Sequence, residues 1–193
     1  MRIADRLRDA LGRPCADPLL TGDDARSATA EPVPAAVLIA VTDRPEPGVI
    51  LTVRREDMRT HAGQVAFPGG RIDEGEYAAA AALREAWEEL ELDPAAVELV
   101  GELDGYRTVT GYTVTPVIGV IPPDLPLVPH AHEVADWFEA PLAYLLDGGN
   151  CLRQSVLFEG RPRHYYQIDW NGRRIWGATA AMLVNLSRRL QWS

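Results

Sequence analysis

Hydrophobic residues recur along the chain with spacings that predict a succession of helices and strands. Ile3, Leu7 and Leu11 recur every four residues, which predicts a short amphipathic helix over residues 2–11. Residues 12–34 are rich in Pro, Ala, Asp and Gly, a composition typical of an irregular lead-in. Further apolar runs are bounded by turn residues. They predict strands at 35–41, 48–54, 63–70, 97–103, 113–121, 155–158 and 165–169, and helices at 77–91, 141–146 and 177–190.

The order of these elements indicates the fold class. Strands come first, then one long helix, then further strands and a closing helix, which describes a mixed β-sheet with helices packed against it. The predicted fold class is therefore α/β. We place a boundary after residue 32, so that residues 1–32 form an N-terminal helix and lead-in and residues 33–193 form the main domain.

Composition and charge narrow the function classes. The chain has 193 residues, which suits one domain, and its net charge of −9 gives no broad attraction to nucleic acid or to an anionic membrane. An anionic substrate would therefore need a metal cation or a local arginine patch. No apolar run is long enough to span a bilayer, and the charged N-terminus does not resemble a signal peptide. We expect a cytoplasmic protein that binds neither nucleic acid nor membranes, with Cys15 and Cys151 as incidental thiols.

Three carboxylates lie close together in the helix predicted over residues 77–91. Glu85, Glu88 and Glu89 fall within an arc of roughly 100°. Like charges at this spacing repel each other by a few tenths of a kcal/mol per pair, so the cluster calls for a counter-charge. Mg²⁺ prefers oxygen ligands of this kind, and the alternative is a solvated acidic face. The apolar residues on the opposite side, expected to form the buried face, are Ala80, Leu83, Trp87 and Leu90.

The residues before this helix favour the metal interpretation. The stretch FPGG at 67–70 supplies a glycine turn whose backbone can approach a ligand closely. Gly70, Glu76 and Arg84 then precede the carboxylates at fixed intervals. The run resembles the Nudix hydrolase signature G-x5-E-x7-R-E-U-x-E-E-x-G-U, in which U is aliphatic. The matching or substituted positions are Gly70, Glu76, Arg84, Glu85, Ala86, Glu88, Glu89, Glu91 and Leu92.

This resemblance implies a Nudix-type α/β/α sandwich with a mixed β-sheet, so that residues 33–193 would be a Nudix hydrolase domain. It also implies that Glu76 and Arg84 brace the loop and helix against each other. The implied ligands of Mg²⁺ or Mn²⁺ are Glu85, Glu88, Glu89 and the carbonyl of Gly70. A divalent ion bound to a diphosphate neutralises developing charge and lowers the pKa of a bound water. The implied activity is the hydrolysis of a nucleoside diphosphate linked to a further group.

A separate carboxylate often activates the water in this family. The stretch EVADWF, which starts at Glu133, resembles the corresponding family segment, so Glu133 is the candidate base. The alternative is a surface glutamate that precedes a strand or helix. The neighbouring His130 and His132 are expected to be exposed loop residues rather than metal ligands.

The stretch before the signature indicates a substrate. Residues 50–70 resemble the extra motif of the coenzyme A pyrophosphatase branch, L-L-T-x-R-S-x3-R-x3-G-x-V-x-F-P-G-G, with Arg55 in place of Ser as the main departure. The segment IWGATAAML near the C-terminus also resembles this branch. Arg54 and Arg59 would then bind substrate phosphates bidentately, and the alternative is a pair of surface arginines. Tyr106, Tyr112 and Trp137 are candidates for stacking on a base, whereas Phe67 is expected in the core.

The implied reaction is metal-dependent hydrolysis of coenzyme A and its derivatives to adenosine 3′,5′-bisphosphate and 4′-phosphopantetheine products. The alternatives are a Nudix activity on ADP-ribose, NADH or a nucleoside triphosphate, and a ligand-sensing Nudix module without catalysis. The retention of all three carboxylates disfavours the sensing module. The sequence leaves a homodimer open.

Glu91 stands where the signature has glycine. A glycine after a helix often adopts a left-handed conformation, which costs other residues about 1 kcal/mol or more. We therefore expect the chain to leave this helix in a different conformation, helped by the Asp93–Pro94 pair, with the Glu91 side chain in solvent.

Overall fold

The computed structural model describes residues 2–23, 31–55, 63–158 and 160–191. The helices are α1 (Ile3–Leu11), α2 (Ala78–Leu90), α3 (Leu142–Leu146) and α4 (Ala178–Leu190). The strands are β1 (Val33–Thr42), β2 (Gly48–Arg54), β3 (Val65–Ala66), β4 (Gly69–Arg71), β5 (Glu98–Glu102), β6 (Tyr106–Arg107), β7 (Tyr112–Ile121), β8 (Val134–Pro141), β9 (Cys151–Phe158), β10 (Arg161–Trp170) and β11 (Arg173–Trp176). Short 3₁₀ turns lie at Pro94–Ala96 and Gly148–Asn150.

Strand β1 lies at the centre of a mixed sheet that has eight strands in the described part of the chain. It runs parallel to β7 along its whole length and antiparallel to β2 and β4. Strand β8 pairs with β2, and β5 and β6 pair with β7, all antiparallel. Strands β9, β10 and β11 form a separate antiparallel sheet. The predicted mixed sheet is therefore confirmed.

The side chains of β1 alternate between two apolar layers, which explains its nearly continuous hydrophobic sequence. Ala36 and Leu38 belong to the layer beneath α2, whereas Ile39 and Val41 belong to the layer that contains α1, α3 and α4. Helices therefore cover both faces of the sheet, as the predicted α/β/α sandwich requires. No helix in the described ranges is both long enough and apolar enough to cross a membrane.

Helix α1 joins the same core. Its apolar side is buried beside β5 and α4 through Ile3, Ala4 and Leu7. On its exposed side Arg8 Nη2 donates to Glu98 Oε1 at 2.7 Å, which ties the helix to β5. The domain boundary that we placed after residue 32 stays a prediction.

The buried face of α2 differs from the predicted one. Trp87 is 50% exposed, and Ala80 and Leu83 are only partly buried, so of the four expected residues only Leu90 is fully buried. The residues that α2 buries are Ala81, Ala82, Ala86, Glu89 and Leu90. Small side chains face the sheet because they let the helix approach the alanines of β1 closely. The prediction followed the large apolar residues and was wrong for this reason.

Several strands also differ from the prediction. The single strand expected at 63–70 is divided into β3 and β4 around Phe67, which is buried as expected, and Pro68, which cannot donate a ladder hydrogen bond. The pattern did not reveal β6, β8 or β11. Strand β8 carries acidic residues among its apolar ones, and β6 and β11 have two and four residues, too few to show a period.

The end of α2 corrects our expectation for Glu91. Its backbone adopts the left-handed conformation, with φ 54° and ψ 28°, although its side chain is exposed as expected. The Glu91 N–H donates to the Trp87 carbonyl at 2.8 Å, and the Leu92 N–H donates to the Ala86 carbonyl at 3.3 Å. Leu92 is buried directly after this turn. The left-handed turn satisfies two helix carbonyls and buries Leu92, which offsets its conformational cost.

Candidate active site

Two carboxylates of α2 face the backbone of the glycine turn. Glu85 and Glu89 lie one helical turn apart, on the side of α2 that faces β4. The Gly69 N–H donates to Glu89 Oε2 at 3.3 Å. A Cβ atom on Gly70 would lie 2.3 Å from Glu85 Oε1, so a side chain at this position would collide with the carboxylate. The close approach of backbone and carboxylates explains why glycine is needed here.

The burial of this pair makes its negative charge costly. Glu89 is only 3% exposed, and burial raises the pKa of its carboxyl to about 8, with the charge of Arg54 acting in the opposite direction. Burial also raises the pKa of Glu85, opposed by hydrogen bonding to Arg84. A cation would stabilise the ionised form of both groups. These oxygen donors fit the hard divalent ions Mg²⁺ and Mn²⁺.

Glu88 lies apart from this pair. Its side chain is 53% exposed, and Arg84 Nη1 donates to its Oε2 at 3.3 Å. Among the described residues, no group of three or more His, Cys, Asp or Glu side chains is arranged as a metal site. A divalent ion would thus need ligands besides the clustered side chains, such as backbone carbonyls, waters and substrate oxygens. The assignment of Glu88 and of the Gly70 carbonyl as ligands stays a prediction.

Arg84 connects the carboxylates to the loop, as the resemblance implies. Its Nε and Nη2 atoms donate to the two Glu76 carboxylate oxygens at 3.1 and 3.0 Å. Its Nη2 also donates to the Arg71 carbonyl at 2.9 Å, and its Nη1 donates to Glu85 Oε1 at 2.9 Å. The bidentate pair with Glu76 lowers the pKa of that carboxyl. Arg84 therefore fixes the position of the Glu85 side chain.

The candidate base Glu133 lies near the carboxylate pair. Its charge contributes to raising the pKa of both Glu85 and Glu89, and its residue is exposed. Its position is set by β8, which begins at the next residue, where Val134 pairs with Arg54. The adjacent His130 and His132 are exposed, as expected. The role of Glu133 as base is a proposal that we take up below.

Of the two arginines predicted to bind phosphate, the structure describes Arg54. Arg54 ends β2 near Glu89, where its positive charge partly opposes the rise that burial causes in the pKa of Glu89. Its Nε atom is buried and has no hydrogen-bond partner among the described residues. Arg59 lies outside the described residues.

A cavity of about 880 Å³ opens beside Gly69 and Gly70. The arginines among its described lining residues are Arg54, Arg71, Arg163 and Arg174, and the aromatic residues among them are Phe67, Tyr112, Tyr165 and Trp176. The sequence analysis missed Arg71 on β4. It also missed four residues that come together only in the β9–β11 sheet, namely Arg163, Tyr165, Arg174 and Trp176. Of the stacking candidates, Tyr112 lines the cavity. Tyr106 is buried with its hydroxyl donating to Asp23 Oδ1 at 2.7 Å, and Trp137 packs in the layer beneath α2.

The fold agrees with the comparisons to known proteins. The NUDIX domain model matches residues 32–149, which is more than half of the chain, and the chain belongs to the Nudix family. The uncharacterized Nudix hydrolase NudL of Escherichia coli K12 is 46% identical over 158 residues, which cover 81% of this chain and 82% of that protein. The prediction of an enzyme of the Nudix hydrolase class is therefore confirmed.

Solved structures support the fold assignment. The Nudix hydrolase RenU of M. smegmatis is 23% identical, with a TM-score of 0.52 over 63% of this chain and 78% of that one. The MutT protein of Methanosarcina mazei Go1 is 19% identical, with a TM-score of 0.50 over 62% of this chain and 84% of that one. At these identities the likeness concerns the fold alone.

Proposed function

We propose that this Nudix hydrolase cleaves the diphosphate of coenzyme A and its thioesters and oxidised forms. The products would be adenosine 3′,5′-bisphosphate and a 4′-phosphopantetheine compound. The observation that carries the proposal is the pair Glu85 and Glu89, which contacts Gly69 and Gly70, because these two glycines also line a cavity that contains four arginines. The resemblance of residues 50–70 to the coenzyme A motif supports this substrate over other diphosphates.

The charge distribution supports a substrate with several phosphates. The chain carries a net charge of −9, which opposes the approach of a polyanion. The cavity is different, because four arginines line it and Asp23 is the only acidic residue among its described lining residues. Guanidinium groups bind phosphate oxygens in bidentate geometry. A cavity of positive charge in an otherwise acidic protein would favour the binding of an anionic substrate.

The chain's own residues have distinct roles in this proposal. A divalent ion held by Glu85, Glu88, Glu89 and the Gly70 carbonyl would supply charge neutralisation and an acidified water. Arg54, which lines the cavity, binds a diphosphate oxygen through its guanidinium group. Glu133 takes the proton of the attacking water while the water oxygen bonds to phosphorus and the bond from phosphorus to the bridging oxygen breaks. Arg84 and Glu76 hold Glu85 in place.

Product analysis tests the substrate. The protein is incubated with Mg²⁺ or Mn²⁺ and separately with coenzyme A, dephospho-coenzyme A, ADP-ribose and NADH, and the products are identified by mass spectrometry. We expect the highest kcat/KM for coenzyme A, and no turnover after chelation of the metal. A higher kcat/KM for ADP-ribose or NADH would assign the chain to another Nudix pyrophosphohydrolase activity. Binding without turnover of any substrate would indicate a sensing module.

A matched pair of variants tests the base. Glu133→Gln should lower kcat by roughly 10²-fold with little change in KM, because the carboxylate that accepts the proton is lost. Glu102→Gln, at an exposed position on β5, should leave both constants unchanged. Equal activities of the two variants would remove Glu133 from the mechanism. Cytoplasmic localisation and a homodimer stay predictions.

A further inference from the structure

The β9–β11 sheet presents one of its faces to the cavity. On β10 and β11, Ile168 and Ile175 pair with each other and are fully buried in the core beside α4. Because side chains alternate along a strand, the residues on either side of them point the opposite way. The residues of β10 and β11 that line the cavity are Arg163, Tyr165, Arg174 and Trp176. This second sheet therefore forms one wall of the cavity.

Of the two arginines on this wall, Arg174 is the more exposed. Its Nε donates to Gln167 Oε1 at 2.7 Å and its Nη2 donates to the Tyr165 hydroxyl at 2.9 Å. Its guanidinium carbon lies 5.1 Å from the centre of the Trp176 ring. Asp169, the cross-strand neighbour of Arg174, accepts from Gln167 Nε2 at 2.8 Å. Within the described part of the chain Arg174 forms no ion pair, so neutral groups orient its charge without neutralising it.

The other cavity arginines differ in how far their charge is compensated. Arg163 Nη2 lies 3.6 Å from Asp23 Oδ2. The positive charge of Arg54 interacts with the carboxyl group of Glu89. On β4, Arg71 Nη2 donates to the Tyr112 hydroxyl at 3.1 Å, and the described residues offer Arg71 no ion pair either. Among the residues that the structure describes, arginines without an ion pair thus lie on two separate elements, β4 beside the glycine turn and β11 in the second sheet. A single diphosphate needs only the group beside the carboxylates.

We propose that Arg174, together with Tyr165 and Trp176, recognises a phosphate group on the nucleoside part of the substrate, separate from the diphosphate that is cleaved. The guanidinium binds the phosphate, and the aromatic rings offer a surface to the base. The assignment to coenzyme A rests on the proposed function. It adds Arg174 to Arg54 and Arg59, the two arginines that the sequence analysis assigned to substrate phosphates.

Binding of two nucleotides tests this site without catalysis. Adenosine 3′,5′-bisphosphate and adenosine 5′-monophosphate are titrated calorimetrically into the metal-free wild type and into the variants Arg174→Gln, Arg174→Lys and Arg173→Gln. Arg173 is the matched control, since it precedes Arg174 on the same strand but donates to Asp136 Oδ2 at 2.7 Å on the other face. Arg174 is exposed, and the melting temperature of each variant verifies its fold.

We expect the wild type and Arg173→Gln to bind the bisphosphate about 10-fold more tightly than the monophosphate, a preference that Arg174→Gln loses. Arg174→Lys should keep part of it. Equal affinity of the wild type for the two nucleotides, or an undiminished preference in Arg174→Gln, would overturn the proposal. Because no turnover is involved, this result is independent of product analysis, which alone decides whether coenzyme A is the substrate.

Discussion

Replacing Glu91 by glycine should stabilise the protein. The left-handed conformation with φ 54° costs a residue with a Cβ atom about 1–2 kcal/mol, which glycine does not incur. The glutamate also sets a negative charge at the negative end of the helix dipole, an effect of about 0.3–1 kcal/mol. The glycine variant gains flexibility in the unfolded state, which costs about 0.4–1 kcal/mol. The net gain is about 1 kcal/mol, or about 2–4 °C in Tm for a chain of this length.

Two further variants separate strain from charge. Glu91→Gln removes the charge but keeps the Cβ atom, so it should raise Tm by only a fraction of the glycine effect. Gln191 ends α4 in the same left-handed region, with φ 46°, and carries no charge. Gln191→Gly should therefore show the strain component alone. Scanning calorimetry at constant ionic strength measures all three variants against the wild type.

The Glu91→Gly variant also tests whether Glu91 belongs to the proposed metal site. Glu91 is exposed, whereas Glu85 and Glu89 face the glycine turn, so Glu91→Gly should keep its Mg²⁺-dependent kcat within a few-fold. A Tm lower than that of the wild type would refute the strain argument. A large loss of turnover at normal Tm would show that Glu91 belongs to the metal site and that the set of ligands is incomplete.

Three further predictions concern other carboxylates. Glu89→Gln should lower kcat by about 10²-fold or more, a barrier increase of about 3 kcal/mol. It should not lower Tm, because the amide keeps the shape of a carboxyl group whose ionised form burial already disfavours. Near-normal turnover with Mg²⁺ would contradict the role of Glu89. Hydrogen bonding to Arg8 lowers the pKa of Glu98, so its contribution to stability is present above the unfolded-state pKa and is lost as pH falls through the lower folded-state value. The Tm difference between the wild type and Glu98→Gln should therefore be constant near neutral pH, begin to shrink as the pH falls below the ordinary glutamate pKa of about 4.3, and vanish only below the lower folded-state pKa. A difference that does not shrink in acid would contradict this. Asp23→Asn should lower the free energy of unfolding in urea by about 1–3 kcal/mol, because Asp23 accepts two hydrogen bonds and pairs with Arg163. Tyr106→Phe removes one of those hydrogen bonds and should cost about 1 kcal/mol. A larger loss for Tyr106→Phe than for Asp23→Asn would contradict this reasoning.

The placement of Glu85 and Glu89 against the glycine turn was predictable because these residues lie close together in the sequence. The spacing from Gly70 to Glu89 places two carboxylates one turn apart on a helix that follows a glycine turn, and helical geometry alone brings them together. The long apolar run of β1 likewise indicates a strand buried on both faces. Predictions from such local patterns depend only on neighbouring residues, and the structure agrees with them.

The cavity wall and the face of α2 were not predictable in this way. Tyr165 and Arg174 meet only through the register of β10 with β11, which a sequence pattern does not specify for a strand as short as β11. In α2 the sheet selects alanines for close approach and leaves Trp87 exposed, so hydrophobicity alone indicates the wrong side. Packing distances rather than apolar character decide the orientation of this helix.

The lining of the cavity comes from two stretches of the chain. The carboxylates and the glycine turn lie inside the region that matches the NUDIX domain model, residues 32–149, whereas Arg163, Arg174 and Trp176 follow it. A change in the hairpin of β10 and β11 alters the groups that meet the substrate and leaves the carboxylates on α2 in place. If the proposed recognition by Arg174 holds, exchanging residues 161–176 between relatives should change substrate choice and retain the hydrolytic step. The proposed selectivity could then be redesigned by the replacement of one contiguous hairpin.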